Sequence, residues 1–177
     1  KKSNKKISLA HGVFDLIHFG HVVHLKKAKQ ISNFLIVSIT SDINVMKGPG
    51  KPIFPQSIRS NMLSALECVD LVIINHNKTP VDLIKFLKPN FYVKGPDYKN
   101  KGKDITKNIF LEEKAVKSNK GKLIITEDIT YSSSKIINKH FNPYPENLME
   151  LINKIKKKYK FEDIEKILNK VEKLKIL

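Results

Sequence analysis

Lys6-Ile-Ser-Leu-Ala-His-Gly-Val-Phe-Asp-Leu-Ile-His-Phe-Gly-His-Val-Val-His-Leu25 is the stretch from which the rest of the chain is read. Ile7 to Ala10 is a short apolar run flanked by lysines and reads as a first strand. His11 and Gly12 follow, then Asp15, then the cluster His18-Phe19-Gly20-His21. Val22, Leu25, Ala28 and Ile31 recur at spacing three, so a helix starts near Gly20. A strand, a glycine-bearing turn and a helix start bring backbone N–H groups and the positive end of a helix dipole to one point, where a phosphate can sit. Gly12 lacks a Cβ and lets a ligand approach the backbone. His18 and His21 add side-chain donors beside that point. The stretch therefore reads as a nucleotide site, although it is neither a Walker loop nor a G-x-G-x-x-G turn.

The chain has 177 residues, enough for one domain with a sizeable core. Its 41% hydrophobic and 28% charged residues are ordinary for a globular protein. The net charge of +16 fits polyphosphate partners and also invites a nucleic-acid reading. The basic residues are almost all lysine, however, with Arg59 the one arginine, which points to compositional bias as much as to a basic surface. A single cysteine, Cys68, excludes an internal disulfide and cysteine-based metal clusters, and its apolar neighbours Ala65, Leu66 and Val69 mark it as a small buried hydrophobe. No apolar run is long enough to span a bilayer and no signal-like segment precedes the first strand, so a cytoplasmic enzyme without a membrane or nucleic-acid partner is expected. A start at Lys1 and an abrupt end at Leu177 suggest that both termini are trimmed.

Phe34 to Thr40 reads as a second, buried strand, and Lys47-Gly48-Pro49-Gly50-Lys51-Pro52 as a loop. A helix from Gln56 to Cys68 is expected to bury Ile58, Met62, Ala65 and Leu66. A third strand covers Leu71 to Ile74, and Thr79-Pro80 opens a helix running to Leu87. Phe91 to Lys94 forms a fourth strand ending in Gly95-Pro96-Asp97-Tyr98. A polar segment, a helix over Ile109 to Ser118 and a fifth strand over Lys122 to Thr126 follow. The alternation predicts an α/β Rossmann-like three-layer sandwich with a parallel five-stranded sheet, plus C-terminal helices. In such a sheet ligands bind beyond the carboxyl ends of the strands, where every polar motif falls. Residues 1–141 form the predicted catalytic domain. Residues 142–177 form a helical tail with two apolar stripes, Leu148 to Tyr159 and Ile164 to Leu174, expected to pack on the domain or on a second copy in a homo-oligomer, or to serve as a linker that connects to a further domain.

Lys47 heads the glycine-proline loop and is placed to meet a phosphate. Arg59 offers the planar fork suited to bidentate phosphate contact. Ser132, Ser133 and Ser134 at a helix start supply hydroxyl and amide donors. His24 extends the spacing to His-x-x-His-x-x-His, but three-residue steps turn a helix about 300° each, so His18 and His24 diverge by about 120°. No metal site is therefore assigned. Mg²⁺ is expected to arrive with a nucleoside triphosphate.

Gly12-x-Phe14-Asp15-x-x-His18-x-Gly20-His21 resembles the signature of the cytidylyltransferase-like nucleotidyltransferases. Lys47-Gly-Pro-Gly-Lys-Pro, Arg59, Ala65-Leu66-Glu67-x-Val69-Asp70 and Val93-Lys94-Gly95-x-Asp97-Tyr98 are similar to the heptose 1-phosphate adenylyltransferase domain, often fused to a sugar kinase. The resemblance covers residues 6 to 138. It implies transfer of AMP or CMP from a nucleoside triphosphate to a sugar or polyol phosphate, with release of pyrophosphate. Catalysis falls to His18, His21 and Lys47. Nucleotide binding falls to Gly12, Val13, Phe14, Gly20, Lys94, Gly95, Asp97 and Ser132 to Ser134, and substrate binding to Asp15, Asp42 and Arg59. Glycerol 3-phosphate cytidylyltransferases share the histidine motif, but Thr126-Glu127-Asp128-Ile129-Thr130 lacks their Arg-Thr-Glu-Gly run and the glycine before the serines, leaving ATP against CTP open. A non-catalytic phosphate- or nucleic-acid-binding module on the same fold is the alternative of another class.

Overall fold

The computed structural model describes residues 5–48, 50–98, 108–127 and 146–159. Five strands, β1 (Ile7–Gly12), β2 (Phe34–Thr40), β3 (Leu71–Asn75), β4 (Phe91–Lys94) and β5 (Lys122–Ile125), alternate with helices α1 (Phe19–Gln30), α2 (Gln56–Ser64), α3 (Val81–Leu87) and α4 (Asn108–Ser118). All the strand pairs are parallel, in the order β3-β2-β1-β4-β5. The order reverses between β1 and β4, and a doubly wound sheet opens a crevice at such a switch point.

The period of two along each strand sorts the core into two layers. On one face Ala10, Leu35, Val37, Ile39 and Val93 pack with Leu25 and Ala28 of α1 and Leu63 of α2. On the other, Leu9, Ile36 and Tyr92 pack with Ile84 of α3 and with Ala115 and Val116 of α4. Both faces are thus covered, which is why the strands read as continuous apolar runs. The expected Rossmann-like three-layer architecture is the one observed.

α2 differs from its sequence reading in length and in face. It ends at Ser64, and Leu66 and Val69 close successive turns onto the carbonyls of Leu63 and Leu66. Its buried side is Arg59 and Leu63, while Ile58 is 44% exposed. Of the expected stripe Leu66 packs against the first core layer, while the most buried side of the helix is shared by an arginine that an apolar pattern does not register. Cys68 is half-buried against the first core layer.

The chain divides into two compact units, Lys1–Ile137 and Asn138–Leu177. Within the second, α5 (Glu146–Lys158) carries the first of the two tail stripes, with Leu148, Leu151 and Ile155 part-exposed. The second stripe lies outside the described residues. Among the described residues, no helix is long and apolar enough to cross a membrane.

Candidate active site

A cavity of about 350 Å³ lies at the switch point, lined by the ends of β1 and β4, the start of α1, the loop after β2 and the first residues of α4. That volume is in the range of small-molecule pockets. Gly12, Val13, Phe14, Asp15, His18, Gly20, His21, Lys47, Lys94 and Gly95 line it, so most of the sequence-derived site converges on one place.

The turn from β1 into α1 is shaped by Phe14, whose φ of +50° lies in the left-handed region. A bulky residue there is strained and persists only where surrounding packing over-determines it. The ring is buried, and a Cβ added to Gly12 would stand 3.1 Å from its Cε2. Gly12 therefore makes room for Phe14, whereas the sequence reading assigned that space to a ligand. The Phe14 ring also meets His21, at 5.1 Å between centroids.

His18 caps α1 in an extended conformation, and its imidazole stacks on that of His21 at 3.9 Å and 19°. The His18 backbone N–H donates to His21 Nδ1 at 3.4 Å. Gly20 sits in the first turn, where a helical amide has no intrahelical acceptor. Burial lowers the pKa of both histidines. For His21 the charges of His18, His24 and Lys47 add to burial against the Leu16 carbonyl, taking it to about 3. At neutral pH His21 is uncharged and its N–H is a neutral donor.

Asp15, Asp42 and Arg59, expected as substrate ligands, each have partners within the protein, and of the three Asp15 lines the cavity. The Asp15 carboxylate accepts the N–H groups of Ile53 and Phe54, both at 3.0 Å. Arg59 is fully buried, and its guanidinium donates to the carbonyls of Val13, Thr40 and Phe54 and to Asp42 Oδ1. Asp42 also accepts the Gln56 N–H at 3.0 Å, while the Gln56 side chain accepts the Asp42 N–H. Partial burial pulls the Asp42 pKa up, but the Gln56 N–H and the Arg59 guanidinium outweigh it and hold the carboxyl below its usual range. The fork suited to phosphate instead ties the β1 turn to both ends of the loop that carries Lys47. Arg59 and Asp42 do not line the cavity.

His11, His24, Lys78 and Glu112 are among the lining residues that the sequence reading did not assign to the site. His11 faces Ser38 across the β1–β2 register and contacts its Oγ at 3.1 Å through Nδ1. Burial first, then the Lys94 charge, lowers its pKa to about 3. His24 contacts Thr126 Oγ1 at 2.9 Å through Nδ1, and among the described residues no group of three potential ligands could hold a metal ion. Lys78 stands exposed at the rim. Glu112 of α4 lies 3.0 Å from Lys94 Nζ and accepts the Tyr92 hydroxyl at 2.9 Å. Its position was legible: it falls three residues after Ile109 and four before Val116, on the buried stripe of α4. The side chain of Asp97 and all of Ser132 to Ser134 lie outside the described residues.

The cytidylyltransferase-like family model matches residues 9–139. Bifunctional protein HldE from Nitratiruptor sp. is 46% identical over 115 residues, covering 62% of this chain and 25% of that protein. Bifunctional protein HldE from Campylobacter jejuni subsp. jejuni is 42% identical over 144 residues, covering 78% of this chain and 28% of its own. The chain thus spans about a quarter of the length of these curated relatives. The lipopolysaccharide core biosynthesis protein from Thermoplasma volcanium GSS1 superimposes with a TM-score of 0.56 at 26% identity, covering 72% of this chain and 99% of that one. The pantoate-beta-alanine ligase from Francisella tularensis shares the fold, with a TM-score of 0.54 at 20% identity over 86% of this chain and 70% of its own.

Proposed function

For a chain that belongs to the cytidylyltransferase-like family, we propose nucleotidyl transfer from a nucleoside triphosphate to a sugar or polyol phosphate, with release of pyrophosphate. The observation that carries this reading is the stacked His18–His21 pair at the start of α1, lining a cavity at the sheet's switch point. An oxygen of the acceptor phosphate attacks the α-phosphorus, and the bond to the bridging oxygen of the leaving pyrophosphate breaks. Such a step needs positioning and stabilisation of charge on phosphoryl oxygens rather than an enzymic nucleophile. His18, His21 and the Gly20 amide act as donors to those oxygens, and Lys47 meets the triphosphate or the acceptor from the loop.

Magnesium belongs to the substrate, held by phosphates and water. Among the described residues, both carboxylates on the cavity wall already have partners: Asp15 has two amides, and Glu112 has Lys94 and Tyr92. AMP is the proposed group and a heptose 1-phosphate the acceptor, since the stretches around Lys47 and Val93 to Tyr98 are those most similar to the heptose 1-phosphate adenylyltransferase domain. That reaction belongs in the cytoplasm, where nucleoside triphosphates are supplied. The curated relatives are called bifunctional, and a sugar kinase activity is proposed for a separate part of a longer chain. The tail stripes are proposed to govern homo-oligomer assembly, so a chain ending at residue 141 should keep turnover while changing its mass by light scattering.

Pyrophosphate release with ATP and CTP against a panel of sugar and polyol phosphates tests the central reading. Turnover with one triphosphate–acceptor pair is expected, and none with any pair would refute it.

A further inference from the structure

The cavity lining also carries a charge pair that phosphate chemistry does not need. Lys94 Nζ and Glu112 Oε2 are 3.0 Å apart, with side chains only 4% and 5% exposed, yet both residues line the cavity. The pair is held on several sides. Tyr92 donates its hydroxyl to Glu112 Oε2 at 2.9 Å, and the ammonium lies 5.3 Å from the Tyr92 ring centre and 4.5 Å from that of Tyr98. A buried lysine meant for a phosphate would gain from being left unneutralised. A carboxylate in direct contact with it cancels the charge and repels an incoming polyanion.

A neutral, rigid pair offers something else. The ammonium has three N–H donors and the Glu112 contact takes one. Both described contacts to Glu112 fall on Oε2, which leaves Oε1 as an acceptor. A donor and an acceptor side by side match adjacent hydroxyl groups, each of which both donates and accepts. The Tyr98 ring beside them supplies an aromatic surface to a sugar's C–H edge.

We propose that Lys94 and Glu112 form a vicinal-diol subsite that recognises a sugar ring by its hydroxyls, while the phosphates lie at the His18–His21 wall. The diol comes from the acceptor sugar or from the ribose of the triphosphate. The assignment rests on the nucleotidyl-transfer reading for its ligands, but its test does not need turnover.

Titration calorimetry of the wild-type chain and Glu112→Gln with four probes separates the cases: ATP, 2′-deoxyATP, mannose 1-phosphate and inorganic phosphate. Glu112→Gln should weaken at least one diol-bearing probe about ten- to a hundredfold, the scale for hydrogen bonds to charged groups. Inorganic phosphate and 2′-deoxyATP should change less than twofold. Loss confined to ATP assigns the ribose, and loss confined to mannose 1-phosphate assigns the acceptor. Equal weakening of all four probes, or no change in any, overturns the subsite.

Because Glu112→Gln leaves a buried ammonium without its partner, the paired variant Lys94→Met/Glu112→Gln serves as the folded control and should lose the same diol preference. Amide NMR of the wild-type chain needs no variant at all. The diol-bearing probe should shift Lys94, Gly95 and Glu112, and inorganic phosphate only residues 18–21. Shifts at Glu112 with phosphate alone would also refute the assignment. A chain that prefers diols but releases no pyrophosphate would keep this inference and refute the reaction.

Discussion

Two polar clusters flank the turn after β1, and they use their groups in opposite directions. The His18–His21 wall lines the cavity and presents uncharged imidazoles to it. The Arg59 cluster carries more charge, yet its donors go to carbonyls from three segments and to Asp42, and neither Arg59 nor Asp42 lines the cavity. The difference teaches that a residue's suitability for phosphate says little until its partners within the protein are known. Each of the three nitrogens of this cation is engaged within the protein, whereas the proposed phosphate donors are uncharged groups at a helix start.

The sharpest way to break this contrast is Arg59→Ala. The Asp42 side chain is 36% exposed and stays solvated, so the cost comes from the carbonyls of Val13, Thr40 and Phe54 losing their donor, about 1–3 kcal/mol for each one left unsatisfied. Denaturant titration should show that loss, with activity falling because the Lys47 loop is no longer held. A folded variant of unchanged stability that had merely lost triphosphate affinity would move Arg59 into the site.

His18→Ala and His21→Ala should do the reverse. Turnover is expected to fall by about 10²–10³ each, as when one transition-state donor is removed. Melting should hardly change, since neither side chain belongs to a core layer. Near-full turnover in either variant would empty the histidine wall of its role.

Acid exposes the same wall through stability. His11 and His21 have pKa values near 3 in the folded chain against an ordinary 6.5, so the unfolded chain binds more protons between those values. Their contribution is fully present above about pH 6.5 and is lost as the pH falls toward 3. Between pH 7.5 and 5 each should remove at most about 2 kcal/mol, at 1.36 kcal/mol per pH unit below 6.5. His11→Gln should flatten the decline measured by thermal melting. An unaltered slope would mean that His11 titrates freely.

Cys68→Ala should have the smallest effect. The side chain is half-buried, burial raises its thiol pKa, and it lies away from the cavity lining. Turnover should be retained, with stability lowered by under about 1 kcal/mol because only part of a small side chain is removed from the core. Lost activity in a folded variant would place Cys68 among the site residues.

The fold was legible because each β-branched run is bounded by turn residues and followed by a helix, which leaves a parallel sheet as the simplest arrangement. The histidine motif was legible because it lies within twenty contiguous residues. The internal partners of Arg59, Asp42 and Asp15 were not legible for a reason of distance. These partners, from Val13 to Gln56, are up to 46 positions away in sequence, and nothing local shows that a guanidinium is already occupied. Glu112 was missed because the adjacent Glu112-Glu113 looks like a solvated face, while only the first of the two shares the stripe of Ile109 and Val116.

Arg59 also bears on how this sequence can drift. The chain has 33 basic residues, and at every position but this one lysine serves. A lysine places its three protons on one tetrahedral nitrogen, whereas four acceptors on the β1 turn, the end of β2 and the start of α2 need donors spread across a plane. A composition that replaces arginine wherever lysine will do therefore leaves one arginine behind as a marker. In other lysine-rich chains, an isolated arginine of this kind is a place to look for a buried junction before looking for a ligand.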